Sequence, residues 1–145
     1  MKALSFYQPF AWAIANGHVD IDDRTWSTKY RGPLAIHASK RFHMGYYLFL
    51  RDVLGLAIPA PELLQYGGVV AIVQLTDCLA PGAPTSVPAY RRAHGGGHCY
   101  GLVLENVQPI EFIPAKGRQG LFELELGVVR AAKPQSATPA QPALF

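Results

Sequence analysis

The side chains best suited to bind a charged or aromatic ligand are concentrated in residues 17–40. They are acidic, basic, hydroxylic and aromatic: Asp20, Asp22, Asp23, Arg24, Trp26, Thr28, Lys29, Tyr30 and Arg31. Alternate residues of a strand share one face, so Asp20, Asp22 and Arg24 are expected side by side. A carboxylate beside a guanidinium presents donors to a base edge or a phosphate, and Trp26 offers a face on which a base can stack. By spacing alone, the plainer interpretation is a solvated strand with an internal ion pair.

A second set of polar side chains, Ser5, Gln8 and Trp12, lies at the first strand-to-helix junction. A helix that begins there leaves backbone N–H groups free to hold a phosphate. The alternative, which is commoner in proteins, is that Ser5 or Gln8 only caps the helix. The junction is therefore a candidate part of the site and not by itself evidence for one.

Two further basic groups follow along the chain. His37, Ser39 and Lys40 lie at the end of an apolar stretch, where a single histidine is more often a hydrogen-bonded core residue than a base. Lys40 either touches phosphate with Arg41 or stays at the surface. Residues 116–120 form a basic glycine turn in which Lys116 and the backbone suit contact with an anion, although the spacing of a phosphate-binding loop before a helix is missing.

The residues that could ligate a metal are His94, His98 and Cys99. Zinc sites in proteins usually have four ligands, and this glycine-rich stretch offers no evident fourth, since spacing gives no reason to bring in Cys78. We therefore expect neither a metal nor a cofactor. Two cysteines in the whole chain are also too few for a disulfide scaffold and fit a reducing compartment.

The elements that must position these residues can be predicted from the apolar pattern. Pro9 fits the first turn of a helix over residues 10–15, which ends at Asn16 and Gly17, and a second helix over residues 42–54 ends at Gly55. Residues 31–33 are expected to turn, and residues 81–97 to form a long loop. Extended segments are predicted over residues 2–6, 19–26, 34–38, 68–75, 100–105, 108–113 and 121–126. About six strands with two early helices indicate an α+β domain on a curled, barrel-like sheet.

Length and composition predict one ordered domain with a short tail. The 145 residues are 50% hydrophobic and 16% charged, and the net charge of +3 tolerates a polyanionic partner without proving one. The ordered domain is predicted over residues 1–130, and residues 131–145, rich in Pro and Ala, are predicted to be a disordered tail. No signal peptide and no membrane span is evident, so a cytoplasmic protein is expected.

Several separated motifs together resemble the ASCH domain, a family within the larger PUA-like group of folds. They are LSFYQPFAWAI, NGHVDIDDRTW, YRGPLAIHASK and VLENVQPIEFIPAKGRQGLFEL, and they keep their order along almost the whole ordered chain. The resemblance implies a PUA-like curled β-barrel of about six strands with two or three flanking helices. It also implies a cleft between barrel and helices, and association with RNA or DNA. Some members resemble amidases that deacetylate N4-acetylcytidine, and others have been linked to RNA cleavage.

The family motif is a glycine, a lysine two residues on, an acid three further, and an arginine two after that. This chain has Gly17, Val19, Asp22 and Arg24 at those positions. Valine has no titratable nitrogen, so lysine-dependent amidase chemistry is disfavoured unless Lys29 or Lys40 replaces it from another strand.

Our hypothesis is that the nucleotide is held by Arg24, Trp26, Arg31 and Lys40, while Ser5, Gln8 and Asp22 shape the pocket. We therefore predict a module that binds RNA or another single-stranded nucleic acid, or a modified nucleoside. The alternative is a hydrolase, either a ribonuclease or a nucleoside amidohydrolase, with Asp22 and Lys40 as its catalytic residues. Trp12, His37, Ser39 and Lys116 complete the predicted binding set.

The last five residues, Gln141, Pro142, Ala143, Leu144 and Phe145, suggest a third role. They resemble the short peptide by which bacterial replication and repair proteins bind the sliding clamp. A tether ending in two apolar anchors suits capture in a surface groove, although five residues with three matches also arise by chance. An adaptor recruited to the sliding clamp is therefore the third hypothesis.

Overall fold

The computed structural model describes residues 1–82 and 98–133. Along this part of the chain the elements are β1 (Lys2–Gln8), α1 (Phe10–Ala15), β2 (Ile21–Arg24), β3 (Gly32–Phe42), α2 (Met44–Leu48), a π-helical turn (Phe49–Val53), a 3₁₀ turn (Pro61–Leu63), β4 (Gly68–Leu79), β5 (Tyr100–Pro114) and β6 (Phe122–Glu123). Within the described residues, no helix is both long enough and apolar enough to cross a bilayer.

The described strands form one six-stranded sheet in the order β2-β5-β4-β3-β1-β6. Strands β1 and β3 run parallel, and the other neighbouring pairs are antiparallel. The sheet curls back toward itself. Arg24, in β2 at one end of this order, donates from Nη2 to the carbonyl of Ser5, in β1 near the other end, over 3.1 Å. Backbone pairing among the described strands does not close the ring. The predicted α+β class with a curled, barrel-like sheet is confirmed.

Strand β3 is buried on both faces because it lies between two apolar clusters. Leu34, Ile36 and Ala38 belong to the larger cluster, which also buries the apolar side chains of α1 and of β4. Ala35 points the other way, into a smaller cluster with Phe122 of β6. Burial on both faces explains why Leu34, Ala35 and Ile36 are apolar in succession and do not alternate with polar residues.

The predicted strands differ in length from the observed ones, most clearly in β2, β5 and β6. The segments 100–105 and 108–113 are one strand, β5, since the chain passes through Asn106 at a φ of 53° without turning back. Irregular register between β4 and β5 absorbs the resulting kink. The stretches 19–26 and 121–126 shorten to β2 and β6. Strand β6 pairs with β1 only at Lys2 and Ala3, so the edge of β1 beyond them is left open.

The helix and turn predictions were also partly wrong. Phe42 belongs to β3, and α2 begins after His43, whose Nδ1 accepts from the Tyr46 N–H over 2.9 Å. Gly55 ends the helical stretch with a φ of +68°, as predicted. Pro9 is the residue before the first turn of α1, not within it. The turn predicted at residues 31–33 is wrong for its last two residues, which open β3.

The predicted tail and most of the predicted loop over residues 81–97 lie outside the described residues. Before that limit, Ala131 forms a β-bridge with Ile110, and the Ala132 N–H donates to the Pro109 carbonyl over 3.0 Å. The chain is therefore still packed against β5 just beyond residue 130. The tail prediction stays a prediction for residues 134–145.

Candidate functional site

A cleft of about 1410 Å³ opens where β1, β3 and the β5–β6 loop meet. Its lining comes from five separate stretches of sequence. These are Ser5, Tyr7, Arg24, Trp26, His37, Ser39, Lys40, Arg41, Gly67, Pro114, Ala115, Lys116, Gly117, Arg118, Gln119 and Gly120. We refer to this surface as the cleft.

Strand alternation explains which side chains of β1 face the cleft. In β1, Leu4 and Phe6 enter the larger apolar cluster, so Ser5 and Tyr7 point the other way. Beyond Ala3 the strand has left its pairing with β6, and the sheet is open there. The cleft therefore forms at the place where the sheet stops one strand short.

Ser5 and His37 form the most buried polar contact of the cleft. They are direct partners in the parallel register of β1 and β3, and Ser5 Oγ lies 2.9 Å from His37 Nδ1. His37 Nε2 lies 2.7 Å from the Ala115 carbonyl oxygen, which can only accept. His37 Nε2 therefore carries the hydrogen and donates it. In the neutral ring, Nδ1 is then the acceptor for the Ser5 hydroxyl.

The β5–β6 loop covers this pair closely at Gly117. A Cβ added at Gly117 would lie 2.7 Å from His37 Cε1 and 3.1 Å from Ser5 Oγ. The first distance is shorter than real Cβ contacts, so no side chain fits at this position without displacing the ring. The glycine of the basic turn is thus required by the close approach of the loop to the imidazole.

Asp22 and Arg24 form an ion pair behind the mouth of the cleft. Arg24 Nε donates to Asp22 Oδ2 over 2.6 Å, which confirms their predicted shared face. The guanidinium also stacks on the Phe6 ring, with Cζ 5.0 Å from its centroid, and lies 6.0 Å from the Trp26 ring. Arg24 is therefore held on several sides before any ligand arrives.

Burial raises the pKa of Asp22 from 3.8 to about 6, although the charge and hydrogen bond of Arg24 act to lower it. The carboxyl lies behind the guanidinium and is not part of the cleft lining. Its direct role in the geometry is to orient Arg24.

The outer part of the cleft is basic and aromatic. Arg41 Nη1 donates to the Tyr7 hydroxyl over 3.1 Å, and its Cζ lies 5.7 Å from the centroid of that ring. Lys40, Lys116 and Arg118 also line the cleft and are exposed. With Arg24 and Arg41, five cationic side chains line the cleft. Among the described residues that line the cleft, none is acidic.

Most of the predicted binding residues meet in this cleft, namely Ser5, Arg24, Trp26, His37, Ser39, Lys40 and Lys116. Three do not line it. The side-chain amide of Gln8 accepts from the Trp12 N–H over 2.9 Å and donates to the Gln65 carbonyl over 2.7 Å, so Gln8 caps α1, as its alternative interpretation held. Trp12 stacks on His18, with ring centroids 5.1 Å apart. Arg31 donates to the Thr28 and Tyr30 carbonyls.

Val19, where the resemblance leads us to expect a lysine, is a core position. Val19 is 6% exposed and packs in the larger apolar cluster. Of the two proposed substitutes, Lys40 lines the cleft and Lys29 does not. Position 19 therefore supplies no amine to the cleft, because its residue is valine and its side chain is buried.

Sequence reasoning missed Tyr7 and the pairing of Ser5 with His37. The signal for Tyr7 was its position two residues after Ser5, which puts both on one face of a strand. The pairing has no local signal, because 32 residues separate the two side chains and only the parallel register joins them.

No group of three His, Cys, Asp or Glu side chains that could hold a metal occurs in residues 1–82 and 98–133. Of the residues considered for zinc, His98 and Cys99 fall in this part of the chain, and His94 lies outside the described residues.

Comparison with solved structures supports the fold. A crystal structure of an ASCH protein from Zymomonas mobilis covers 86% of this chain and 87% of its own, with a TM-score of 0.52 and 16% identity. Two point mutants of that protein match with TM-scores of 0.52 and 0.53 at the same identity. No family model and no curated protein sequence matches the chain. The resemblance to ASCH domains is thus confirmed at the level of the fold.

Proposed function

We propose that the cleft binds a nucleotide of single-stranded nucleic acid, RNA in the first place, including nucleotides with a modified base. The observation that carries the proposal is the charge of the cleft. Five of the 13 Lys and Arg residues line it, and its described lining contains no carboxylate. A net charge of +3 spread over the surface would not direct an anionic ligand to any one place. Five cations around one concave surface concentrate positive potential there.

Two kinds of contact are available to the bound strand. Lys40, Lys116 and Arg118 are exposed and suit phosphate oxygens, which need no fixed geometry from an ammonium or guanidinium group. Trp26 and Tyr7 offer ring faces at the same surface, and stacking on an aromatic ring accepts any base. The ASCH fold, with its implied association with RNA or DNA, agrees with this assignment.

Of the five cations, Arg24 is the one best placed to favour one orientation of the bound nucleotide, because its guanidinium is held in place. Asp22 holds one edge of the guanidinium, and the Ser5 carbonyl holds another nitrogen. A donor fixed in advance loses little conformational entropy on binding, so it contributes more to affinity than a mobile lysine.

The salt dependence of RNA binding tests the proposal. If each of the five cations contacts one phosphate, the slope of log K against log salt is about −3.5, at roughly 0.7 for each contact to a single strand. The affinity for a short fluorescein-labelled single-stranded RNA should then fall about 100-fold between about 50 and 200 mM salt, measured by anisotropy. A slope near zero would contradict the proposal.

Two variants separate the charge contact from the stacking contact. Lys116→Ala should make the slope less steep by about 0.7. Trp26→Ala should weaken binding roughly 5- to 150-fold, as the loss of about 1–3 kcal/mol of stacking implies, and leave the slope unchanged. Lys29→Ala is the matched control, since this exposed lysine does not line the cleft. Equal effects of Lys116→Ala and Lys29→Ala would remove the cleft from the binding surface.

A further inference from the structure

The Ser5–His37–Ala115 contact has the arrangement of an activated nucleophile. A hydroxyl becomes nucleophilic when a base lies within about 2.6–3.2 Å and a third group orients that base. Here the hydroxyl-to-imidazole distance is 2.9 Å, and the opposite ring nitrogen donates to the Ala115 carbonyl over 2.7 Å. Ser5 therefore has the position of the nucleophile, His37 that of the base, and the backbone carbonyl of Ala115 that of the group that orients the base.

The base of this arrangement is buried and packed, whereas the nucleophile is accessible from the cleft. His37 is 2% exposed, and its ring is covered by Gly117 and lies edge-on to Phe122, with ring centroids 6.0 Å apart. Ser5 is half-buried and lines the cleft. The buried imidazole is thus hydrogen-bonded to the hydroxyl of a residue that lines the open cationic cleft.

The surrounding charges suit a reaction in which an oxygen becomes negative. The Arg24 guanidinium donates a hydrogen bond to the backbone carbonyl of Ser5 itself, and Lys116 follows Ala115 in the chain. Positive groups beside a carbonyl carbon under attack stabilise the oxyanion that forms there. The cleft therefore supplies a nucleophile, a base and positive charge within one surface.

We propose that Ser5 is the nucleophile of a hydrolase that cleaves carboxylic esters carried on phosphorylated molecules, with His37 as its general base. The phosphorylated class of substrate rests on the proposed function, because the same cations hold the phosphate. An ester is favoured over an amide because a backbone carbonyl stabilises the imidazolium less than a carboxylate does. The better leaving group of an ester requires less help from that imidazolium.

The reaction balances without an outside reagent other than water. Ser5 Oγ bonds to the ester carbon as its proton moves to His37 Nδ1, and the carbonyl electron pair moves onto oxygen. The oxyanion collapses, the bond to the alcohol oxygen breaks, and that oxygen takes the proton from Nδ1. Water then attacks the acyl-serine, giving its proton to His37, and the acid leaves as Ser5 recovers its hydrogen.

A fluorophosphonate probe tests the nucleophile in the whole chain without any ester substrate. We expect a covalent adduct on the peptide that contains Ser5, located by mass spectrometry. Ser5→Ala should abolish that adduct, and His37→Gln should slow its formation about 100-fold or more, as loss of a general base implies. Because the wild-type protein alone gives the first result, a variant that fails to fold does not prevent the test. No adduct, or adducts spread over Ser27 and Ser39, would overturn the inference.

Hydrolysis of 4-nitrophenyl acetate and RNA binding complete the test. Ser27→Ala, at an exposed serine outside the cleft lining, should leave both labelling and hydrolysis unchanged. If labelling fails while the wild-type protein binds RNA, this inference is wrong and the proposed function stands. If Ser5 is labelled and RNA does not bind, the nucleophile is supported and the phosphorylated class of substrate is wrong.

Discussion

Replacement of Asp22 by asparagine should change how the stability of the fold depends on pH. Burial raises the pKa of Asp22 from 3.8 to about 6 in the native state, so the folded protein binds this proton more tightly than the unfolded chain does. Stability falls with rising pH wherever the native state holds more protons. The contribution of Asp22 is therefore fully present below about pH 4, declines as pH rises, and is lost above about pH 6.

The size of this change follows from the shift. At about 1.4 kcal/mol for each pKa unit, the rise to about 6 corresponds to about 3 kcal/mol of unfolding free energy. The Asp22 side chain keeps 11% of its surface exposed and retains its bond to Arg24, so we take this figure as an upper bound. A difference of about 1–3 kcal/mol between wild type and Asp22→Asn is expected across this range.

Urea unfolding followed by tryptophan fluorescence, at steps from about pH 4 to 7, measures this difference. Only the change with pH is diagnostic, since Asp22→Asn also leaves Arg24 without its counter-ion and so lowers stability at every pH. Asp52→Asn is the matched control. Hydrogen bonding from Arg51 lowers the pKa of this exposed carboxyl, so any contribution from Asp52 is lost as pH falls, which is the opposite sign. Parallel curves for wild type and Asp22→Asn would refute the reasoning.

Three further predictions concern the loop, the core and the tail. Gly117→Ala should lower stability by about 1–3 kcal/mol in urea unfolding and slow the labelling of Ser5, because its Cβ would stand 2.7 Å from the His37 ring; no effect on either would show that the loop is free to move away. Val19→Lys should cost several kcal/mol and create no amidase, since it buries an unpaired charge, whereas Val53→Lys, at a 68% exposed position, should stay within about 0.5 kcal/mol of wild type; equal unfolding midpoints would contradict the core placement. The intact chain should retain bacterial sliding clamp in a pull-down and a chain lacking Leu144 and Phe145 should not; equal recovery would end that hypothesis.

Local pattern was enough to predict the core strands and the end of each helix. Residues 34–38 are apolar except for His37, which predicts a buried strand, and Gly55 marks a helix end because it takes a positive φ easily. The join of two predicted strands into β5 was not predictable, since Asn106 suggests a turn. It stays within a strand because β4 runs alongside and tolerates register shifts.

Some features of the candidate site could likewise be predicted from local sequence, and others could not. The proximity of Asp22 to Arg24 follows from a spacing of two within a strand, and the structure confirms it at 2.6 Å. Gln8 and Trp12 looked equally promising in the sequence, yet they bond to each other at the start of α1. Polar side chains near a helix start can hydrogen-bond either to the free N–H groups of the helix or to a ligand. Local sequence does not distinguish these two roles.

The sequence by itself determined the class of fold, the strand that carries Ser5, the strand that carries His37, and the valine at position 19, where the resemblance leads us to expect a lysine. Alternation in each strand depends only on neighbouring residues, so it can be read locally. Only the tertiary structure decided that Ser5 lies opposite His37, that the Ala115 carbonyl holds the ring, and that the loop at Gly117 closes over both. These contacts join stretches far apart in the chain, and the parallel pairing of β1 with β3 is what brings them to one cleft.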